Sequence, residues 1–431
     1  MVTVNTEDAA LAHEGGATIS LTMRWGILLL LGLGVLISNI DRSSMSSAIA
    51  AESFRASFGL NDLDKGWLNS AFFWSYGLVQ IPMGYVVDRY GVKWPYAVCF
   101  AIWSFATAAT GMMGALAGLI LMRFVIGAAE AMAIPATFRW IRDNFGEGQS
   151  GVAVSIIAAG NKFGPAIGAP VAIYLINHYS WRDMFIATGV AGLLWIVPWL
   201  GLTRNDYPTA SARAAKRAEV ASVPFSSVLR SPVVWGAMIV NFCYSYFTYF
   251  AMQWMPDYLH NHRKLSLESS GLYTFFSFAG IAVVAILAGW AADRMIARGA
   301  DPVWTRKAFM LGGFAGGCTV VLGAHADSLG MALFWNIFSL SSIGLATANS
   351  LALCRITLIP KPAVGIVTGV QQVATSLAGG LAGALTGWLL HISHNNYDLP
   401  MLLILVFLVI GAAATCILLQ PKWSPRLVEA A

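Results

Sequence analysis

Apolar runs of about 20 residues recur from the beginning to the end of the chain, and a helix of that length crosses the ~30 Å hydrocarbon core of a membrane. Strands of a transmembrane barrel are about ten residues long and alternate polar with apolar residues, which these runs do not. We therefore predict an all-α membrane protein with twelve transmembrane helices, at 24–48, 66–87, 95–114, 118–140, 150–177, 183–202, 232–258, 268–291, 308–325, 330–355, 364–390 and 398–420.

The scarcity of charged residues agrees with this prediction. Charged side chains make up 11% of the chain and hydrophobic ones 57%, whereas a soluble globular domain has about 25% charged residues. A water-soluble globule is therefore excluded. The net charge of +5 is too small to indicate nucleic acid, so we expect no nucleic acid partner and a lipid bilayer as the surroundings.

Lysine and arginine are unevenly distributed among the predicted loops. With both termini in the cytoplasm, 17 of the 26 lie in inner segments and five lie in outer loops, as the positive-inside rule requires. Residues 1–23 contain neither Lys nor Arg, so they lack the basic leader of a cleavable signal. The first helix is therefore expected to stay in the membrane, in a multi-pass protein with both termini cytoplasmic.

One loop differs from all the others. Residues 203–231 are polar, basic and rich in Ala and Ser, and they separate two groups of six predicted spans. The predicted organisation is a cytoplasmic tail, a six-helix bundle, a cytoplasmic linker, a second six-helix bundle and a second cytoplasmic tail, at 1–23, 24–202, 203–231, 232–420 and 421–431.

The two halves contain similar motifs. Gly-x-x-x-Asp-Arg follows the second span of each half, in "GYVVDRYGVK" from Gly84 and in "GWAADRMIARG" from Gly289. Glycine also recurs at every fourth position of the fifth and eleventh spans, at Gly160, Gly164 and Gly168 and at Gly379, Gly383 and Gly387. Small residues at this spacing allow two helices to approach closely. We interpret the halves as parallel repeats that rock around a central site.

This pattern resembles the major facilitator superfamily over nearly the whole chain. Twelve spans, a long middle loop and the motif "GYVVDRYGVK" are typical of that family. The resemblance implies a fold of two six-helix bundles, with a cytoplasmic latch formed by the loop aspartates and arginines. It assigns a gating role to Asp88, Arg89, Asp293 and Arg294. A tight turn with positive-inside anchoring would also account for these four residues.

Four ionisable residues lie inside apolar spans of the first half. Asp41 and Arg42 are adjacent in the first span, and Arg123 and Glu130 are seven residues apart in the fourth, so these last two share a helix face. A charge at mid-membrane costs about 2.5–3.5 kcal/mol on insertion scales, so the four must face a polar interior and compensate one another. A structural ion pair would also satisfy them, but ionisable residues at this depth are functional candidates.

The arrangement of these charges resembles the anion:cation symporter branch of the superfamily, which includes bacterial sugar-acid transporters, such as those for D-galactonate, and animal sialin and vesicular glutamate transporters. Asp-Arg in the first span, Arg-x6-Glu in the fourth and "WSYGLVQIPMGYVVDRYG" in the second are the residues that match. The resemblance assigns proton binding to Asp41 and Glu130. It assigns coupling to Arg123 and binding of the substrate carboxylate to Arg42.

The same resemblance implies further features of the site and of its setting. It places three polar residues at substrate contacts, Tyr76, Asn161 and Gln372. It also implies a monomer in a bacterial cytoplasmic (inner) membrane that needs no cofactor, with protons as the coupling ion.

The chemistry of these side chains supports the same assignment. The guanidinium group of Arg stays charged when it is desolvated, and its planar fork fits a carboxylate. Burial favours the protonated form of a carboxyl group, whereas a nearby Arg favours the ionised form. A substrate anion that binds Arg42 or Arg123 weakens the second effect, so substrate and protons are expected to bind together. We therefore predict a proton-coupled symporter that imports a small organic anion, a sugar acid or another carboxylate, by alternating access.

Lys162 has no assigned part in this scheme. It follows Asn161 midway along the fifth span. It could bind a second carboxylate of the substrate, pair with Glu130 or extend to the membrane surface, and we include it among the candidate substrate-binding residues. We interpret Arg355, near the end of the tenth span, as an interfacial anchor.

Other functions remain open at this stage. The spacing of Gly151, Gly160, Gly164-Pro165 and Gly168 is similar to that of proton-coupled drug antiporters, so export of a small organic compound is the alternative. Transport of an organic anion driven by sodium or by the membrane potential is another. Buried arginines favour anion uptake, because exporters of lipophilic cations would present acids alone. No nucleophile–base set, metal-ligand cluster or phosphate-binding loop is visible, so we predict neither an enzyme nor a metal site.

Overall fold

The computed structural model describes residues 20–206, 225–360 and 363–424. Each predicted span corresponds to a helix, and these helices are numbered α1 to α12 in chain order. The first half contains α1 (Leu21–Ala50), α2 (Asp62–Tyr90), α3 (Lys93–Thr110), α4 (Leu116–Asn144), α5 (Glu147–His178) and α6 (Trp181–Leu202). The second half contains α7 (Pro232–Asp257), α8 (Leu267–Ala297), α9 (Pro302–Ala324), α10 (Leu329–Ala352), α11 (Val364–Ile392) and α12 (Asp398–Ile417).

The prediction of an all-α membrane protein with twelve spans is confirmed. Within the described ranges, nine helices are long and apolar enough by composition alone to cross a membrane. The other three are α2, α3 and α7. In α2 and α7 buried polar side chains such as Asn69 and Gln253 face the protein interior, and these residues lower the mean hydropathy of a helix.

Polar side chains determine where several helices begin. The Asn61 side chain accepts a hydrogen bond from the Asp64 backbone N–H (2.9 Å), and the Asn61 backbone N–H donates to the Asp64 carboxylate (3.1 Å). At the start of α6, the Ser180 hydroxyl accepts a hydrogen bond from the Asp183 N–H (3.1 Å). These caps satisfy N–H groups that have no partner within the first turn of a helix.

The helices pair in the same order in both halves. α1 packs on α5, α2 on α4, and α3 on both α4 and α6. Correspondingly, α7 packs on α11, α8 on α10, and α9 on both α10 and α12. Between the halves, α1 contacts α7, α2 contacts α11 and α5 contacts α8. The repeated pairing agrees with the interpretation of the chain as two repeats of six helices.

The boundaries of the predicted tails and linker stay predictions. Residues 1–19, 207–224 and 425–431 lie outside the described residues. In the described part of the linker, Phe225–Arg230 forms a short helix. The Asp206 carboxylate accepts hydrogen bonds from the N–H groups of Val92 and Lys93 at the start of α3 (2.7 and 3.2 Å). The beginning of the linker is therefore bound to the loop that follows α2.

Both glycine rows lie at close helix contacts, but the two contacts are not equivalent. A methyl group added at Gly160 would lie 2.7 Å from the Gly32 carbonyl oxygen, so this row packs α5 on α1 within the first half. A methyl group added at Gly383 would lie 2.8 Å from the Ser70 nitrogen, so the other row packs α11 on α2 of the opposite half. The similar spacing reflects close packing in both places, but against different neighbours.

The two halves also meet through charged side chains at the end predicted to be external. Asp257, at the end of α7, is 2% exposed. Its carboxylate lies 3.4 Å from Arg55 Nη1 and 3.7 Å from Lys65 Nζ, both in the first half. It also accepts hydrogen bonds from the Tyr397 hydroxyl (2.9 Å) and the Asn261 side chain (2.8 Å) of the second half. We call these five residues the outer cluster.

Candidate functional site

A buried ion pair joins α1 to α4. Arg42 Nε donates to Glu130 Oε2 at 2.9 Å, and Glu130 is completely buried. α4 is interrupted at this point, because its first helical segment ends at Glu130 and its second begins at Ala133. Gly127 has no side chain that would collide with the carbonyl group of Phe72 in α2. The absence of that side chain lets α4 approach α2 and brings Glu130 within reach of Arg42.

Asp41 is buried beside this pair. Its side chain is 4% exposed, and neither carboxylate oxygen has a hydrogen-bond partner within the described part of the chain. Asp41 interacts electrostatically with Glu130, Arg123 and Arg42. An ionised carboxylate without donors is costly to bury. The Asp41 carboxyl can therefore exchange a proton without breaking any hydrogen bond of the described residues.

A single aromatic ring contacts both arginines. The guanidinium carbons of Arg42 and Arg123 lie 4.9 and 5.0 Å from the centre of the Phe72 ring. Arg123 Nε also donates to the carbonyl of Leu68 at 3.2 Å, so α2 holds this side chain through both its backbone and its ring. Cation–π contacts contribute about 0.5–2 kcal/mol, with the larger values at desolvated sites. Phe72 therefore positions both guanidinium groups.

Two tyrosines extend this aromatic contact toward the second half. Tyr76 stacks on Phe72 with 5.6 Å between ring centres, and its own ring centre lies 4.8 Å from the Arg42 guanidinium. Tyr249 of α7 packs against Phe73 at 4.5 Å and interacts electrostatically with Arg42 and Tyr76. The sequence predicts a role for Tyr76 but does not single out Tyr249, because α7 contains many aromatic residues.

Asn161 and Lys162 lie midway along α5. Asn161 is exposed and Lys162 is half-buried. Within the ranges that the structure describes, Lys162 forms no hydrogen bond or ion pair. Because the Glu130 carboxylate binds Arg42 instead, the alternative in which Lys162 pairs with Glu130 is not observed.

The predicted contact at Gln372 lies beside a second amide that the sequence does not identify. Gln372 is half-buried, and its backbone carbonyl accepts a hydrogen bond from the Ser376 hydroxyl at 3.0 Å. Gln371 is 3% exposed, and its side-chain amide has no hydrogen-bond partner among the described residues. Its backbone carbonyl accepts a hydrogen bond from Asn241 of α7 at 2.7 Å. Because an unpaired buried amide is costly, Gln371 is a further candidate for contact with a polar ligand.

The loop motif of the first half is held by α4. Asp88 lies 4.0 Å from Arg139, whose guanidinium group also donates to the carbonyl of Val87. Arg89 donates to the Tyr85 hydroxyl at 3.0 Å. Arg139 is buried (8% exposed), although the sequence identifies it only as one of many cytoplasmic cations. Its contacts make it the residue that fixes the end of α2 to α4.

The corresponding motif of the second half is held by α9. The Asp293 carboxylate accepts a hydrogen bond from Arg306 Nη2 at 2.7 Å. The Arg294 guanidinium lies 5.6 Å from the centre of the Trp290 ring. The ion pairs of Asp88 and Asp293 thus each connect two helices of one half, and the gating role of these residues stays a prediction.

The chemistry available to this arrangement follows from the competition for Arg42. The guanidinium group binds the Glu130 carboxylate, and an anion that displaced this carboxylate would leave it without its partner. A buried carboxylate that loses its cation is stabilised by taking up a proton. At Arg42 a substrate anion can therefore replace the Glu130 carboxylate. Glu130 can bind a proton in the same step.

Comparison with known proteins identifies a family and related transporters. The family model described as "Major Facilitator Superfamily" matches residues 31–383. The "Sodium-dependent phosphate transport protein 1, chloroplastic" of Arabidopsis thaliana is 29% identical over 389 residues, which are 87% of this chain and 75% of that protein. The "Probable L-galactonate transporter" of Escherichia coli (strain K12) is 26% identical over 412 residues, which are 93% and 90% of the two chains.

A solved structure shows the same fold. The crystal structure of a bacterial homologue of the human lysosomal transporter Spinster, in an inward-facing and occupied conformation, has a TM-score of 0.76 to this chain. The match covers 96% of this chain and 100% of the homologue's chain, at 18% sequence identity. The predicted fold of two six-helix bundles is therefore confirmed.

Proposed function

The chain belongs to the Major Facilitator Superfamily, and on this premise we propose that it is a proton-coupled symporter that imports a small organic anion by alternating access. Membership in this family makes the chain a multi-pass membrane transporter and not an enzyme. The proposed substrates are sugar acids or other carboxylates, in agreement with the name of the L-galactonate relative.

The observation that supports this proposal most directly is the buried hydrogen bond between Arg42 and Glu130. An incoming carboxylate binds the planar guanidinium fork of Arg42 and weakens its bond to Glu130. Glu130 then takes up a proton, and Asp41 supplies a second buried carboxyl that can do the same. Arg123 couples the two events through its electrostatic contact with both acids.

The remaining site residues have supporting roles in the proposed mechanism. Four polar side chains would contact the substrate beyond its carboxylate, Tyr76, Asn161, Lys162 and Gln372. Four charged loop residues would close the cytoplasmic side during the cycle, Asp88, Arg89, Asp293 and Arg294. No cofactor is required, because protons supply the driving force.

The proposed setting is a bacterial inner membrane. Both termini would lie in the cytoplasm, with 203–231 as the linker between the bundles 24–202 and 232–420 and with tails at 1–23 and 421–431. The protein would act as a monomer, because each bundle contributes residues to a site within one chain.

The closest competing function is export, and one structural observation bears on it. The glycine–proline spacing of α5 resembles that of drug antiporters, but Gly160 and Gly164 lie against the backbone of α1 at Gly32 and Leu36. Close packing of α5 on α1 accounts for these glycines without a role in export. The buried arginines remain, and they favour an anionic substrate.

Uptake by whole cells tests the proposal. Cells that contain the protein should accumulate a labelled sugar acid or aromatic acid when the medium is acidified, and a protonophore should abolish the accumulation. The same assay is repeated in sodium-free medium, because one relative is named sodium-dependent. Accumulation that persists without sodium excludes sodium as the driving ion. Greater accumulation after collapse of the proton gradient would contradict import and indicate an exporter.

A further inference from the structure

Lys162 is a third cation near the middle of a membrane span in the first half, after Arg42 and Arg123. Arg42 binds the Glu130 carboxylate and Arg123 binds the Leu68 carbonyl, whereas Lys162 has no such partner among the described residues. An ammonium group within a membrane span costs about 2.5–3.5 kcal/mol on insertion scales. A bound anion would offset this cost.

The position of Lys162 along α5 excludes extension to the membrane surface. α5 has 15 residues before Lys162 and 16 after it, which is about 22 Å of helix on either side. A side chain with four methylene groups cannot cover that distance. Since Glu130 is paired with Arg42, both alternatives to a ligand contact are removed.

The direction of Lys162 follows from the exposed side of α5. Large apolar residues that the protein leaves exposed recur at helical spacing toward the end of the helix, at Ile167, Val171 and Tyr174. Lys162 precedes Ile167 by five residues, so it lies about 140° around the helix from this lipid-facing side. Its half-buried side chain is therefore directed away from these exposed apolar residues.

The contacts of α5 with α1 give the depth of Lys162 relative to Arg42. Gly160 lies against Gly32, and Gly164 lies against Leu36 and Asn39, so Lys162 is level with about Leu36. Arg42 follows six residues later, about 9 Å further along α1. A diacid of sugar length can span this offset along the helix axis, because each hydrogen bond adds about 3 Å at either end.

We propose that Lys162 binds the second carboxylate of a substrate whose first carboxylate binds Arg42, so that the preferred substrates are compact dicarboxylates. This inference rests on the proposed transport function and narrows its substrate class. Charge balance supports it. When Asp41 and Glu130 are protonated, Arg42, Arg123 and Lys162 leave three positive charges, and a dianion compensates more of them than a monoanion does.

Binding of matched acids to the purified full-length protein tests this inference. The probes are galactonate with galactarate, gluconate with glucarate, and benzoate with phthalate, because the members of each pair differ by a second carboxylate. Thermal stabilisation and calorimetry should show at least one diacid bound about tenfold more tightly than its monoacid, equivalent to about 1.4 kcal/mol. Lys162→Gln should reduce this difference by weakening the diacid more than the monoacid, and Lys162→Arg should retain it. Lys422→Gln, at an exposed lysine, is the matched control.

The outcomes separate this inference from the proposed function. Equal affinity for both members of every pair would overturn the assignment of Lys162 and leave carboxylate transport intact. So would an equal loss of both affinities in a Lys162→Gln protein that keeps its melting temperature. Failure of all six acids to bind, together with no proton-driven uptake of any carboxylate, would overturn the proposed function and this inference with it.

Discussion

At the scale of single residues, the proposed mechanism uses Arg42 to connect anion recognition with proton binding. Its Nε binds Glu130, and its guanidinium group lies against the rings of Phe72 and Tyr76. These contacts fix the plane of the fork before any substrate arrives. In the proposed mechanism a carboxylate that binds Arg42 must therefore share or displace Glu130, and its affinity is expected to depend on the protonation of that residue.

Replacement of Arg42 by lysine tests the importance of the fork. Arg42→Lys keeps the positive charge but removes the planar pair of donors, and charge-assisted hydrogen bonds contribute about 1.5–3 kcal/mol. We expect carboxylate affinity to fall by about 10- to 100-fold, as measured by calorimetry with the best-binding acid. Arg298→Lys, at an exposed position, should bind normally. Near-normal affinity in Arg42→Lys would remove Arg42 from substrate binding.

Glu130→Gln should separate binding from accumulation. Glutamine imitates the protonated acid, so Arg42 is free to bind the substrate at any pH. In the natural protein affinity should rise as the pH falls, because substrate and protons bind together. In Glu130→Gln this dependence should become flatter, and proteoliposomes should exchange substrate without concentrating it against a proton gradient. Full proton-driven accumulation by the variant would exclude Glu130 from coupling.

The sequence predicts which residues of the site are unusual but not how they pair. Asp41, Arg42, Arg123 and Glu130 can be identified because charges inside apolar spans are costly. The partner of Glu130 could not be identified, because the packing of α4 against α2 and α1 brings it to Arg42 rather than to Lys162. Neutral side chains cost much less free energy to place in a membrane span, so their presence there is not unusual. For this reason Gln371 and Tyr249 are apparent only in the structure.

At the scale of helices, the contact between α5 and α1 depends on the absence of side chains. A methyl carbon added at Gly164 would lie 3.0 Å from the carbonyl oxygen of Leu36. A methyl carbon added at Gly151, on the same helix, would lie in open space. The two positions therefore differ in packing while sharing one helix.

A pair of alanine substitutions tests this contact. Gly151→Ala should be neutral or stabilising by up to about 1 kcal/mol, the difference in helix propensity. Gly164→Ala should destabilise the protein by about 1–3 kcal/mol through overpacking, partly offset by the same propensity gain. Melting temperatures of the purified variants measure both effects. An equal melting temperature for the two variants would contradict the close approach of α5 to α1.

The helices themselves could be predicted because length and hydropathy define a span. The start of α2 lies four residues before the predicted position, because the Asn61–Asp64 cap extends the helix beyond its apolar part. Close helix contacts could be predicted at both glycine rows. The helices that these rows contact could not be predicted. The same glycine spacing packs α5 on α1 of its own half and α11 on α2 of the opposite half.

At the scale of the whole molecule, the outer cluster holds the two halves together on one side. The sequence does not reveal it, because Arg55, Lys65 and Asp257 lie at or beyond the ends of spans, where charged residues cost little. The structure brings Asp257 of the second half to both cations of the first. In the proposed alternating-access cycle, these contacts must break when the side predicted to be external opens.

Asp257→Asn should weaken closure of the external side. Asparagine can still accept a hydrogen bond from Tyr397, but it loses the attraction to Arg55 and Lys65. We expect the population of externally open molecules to rise at least about fivefold, equivalent to about 1 kcal/mol. Distances between spin labels at Ser57 and Asn395, in a background without native cysteines, measure this population. Glu52→Gln is the control, and an unchanged distance distribution in Asp257→Asn would contradict the role of the outer cluster.

The Phe72 ring has an evolutionary consequence. One ring supports both arginines, so in the proposed mechanism a substitution there is expected to alter substrate recognition and proton coupling together. Descendants that acquire a new nutrient are therefore expected to keep this ring. They should diversify instead at positions such as Tyr249 of the opposite half, where a substitution can alter substrate selectivity and leave the support of both arginines intact.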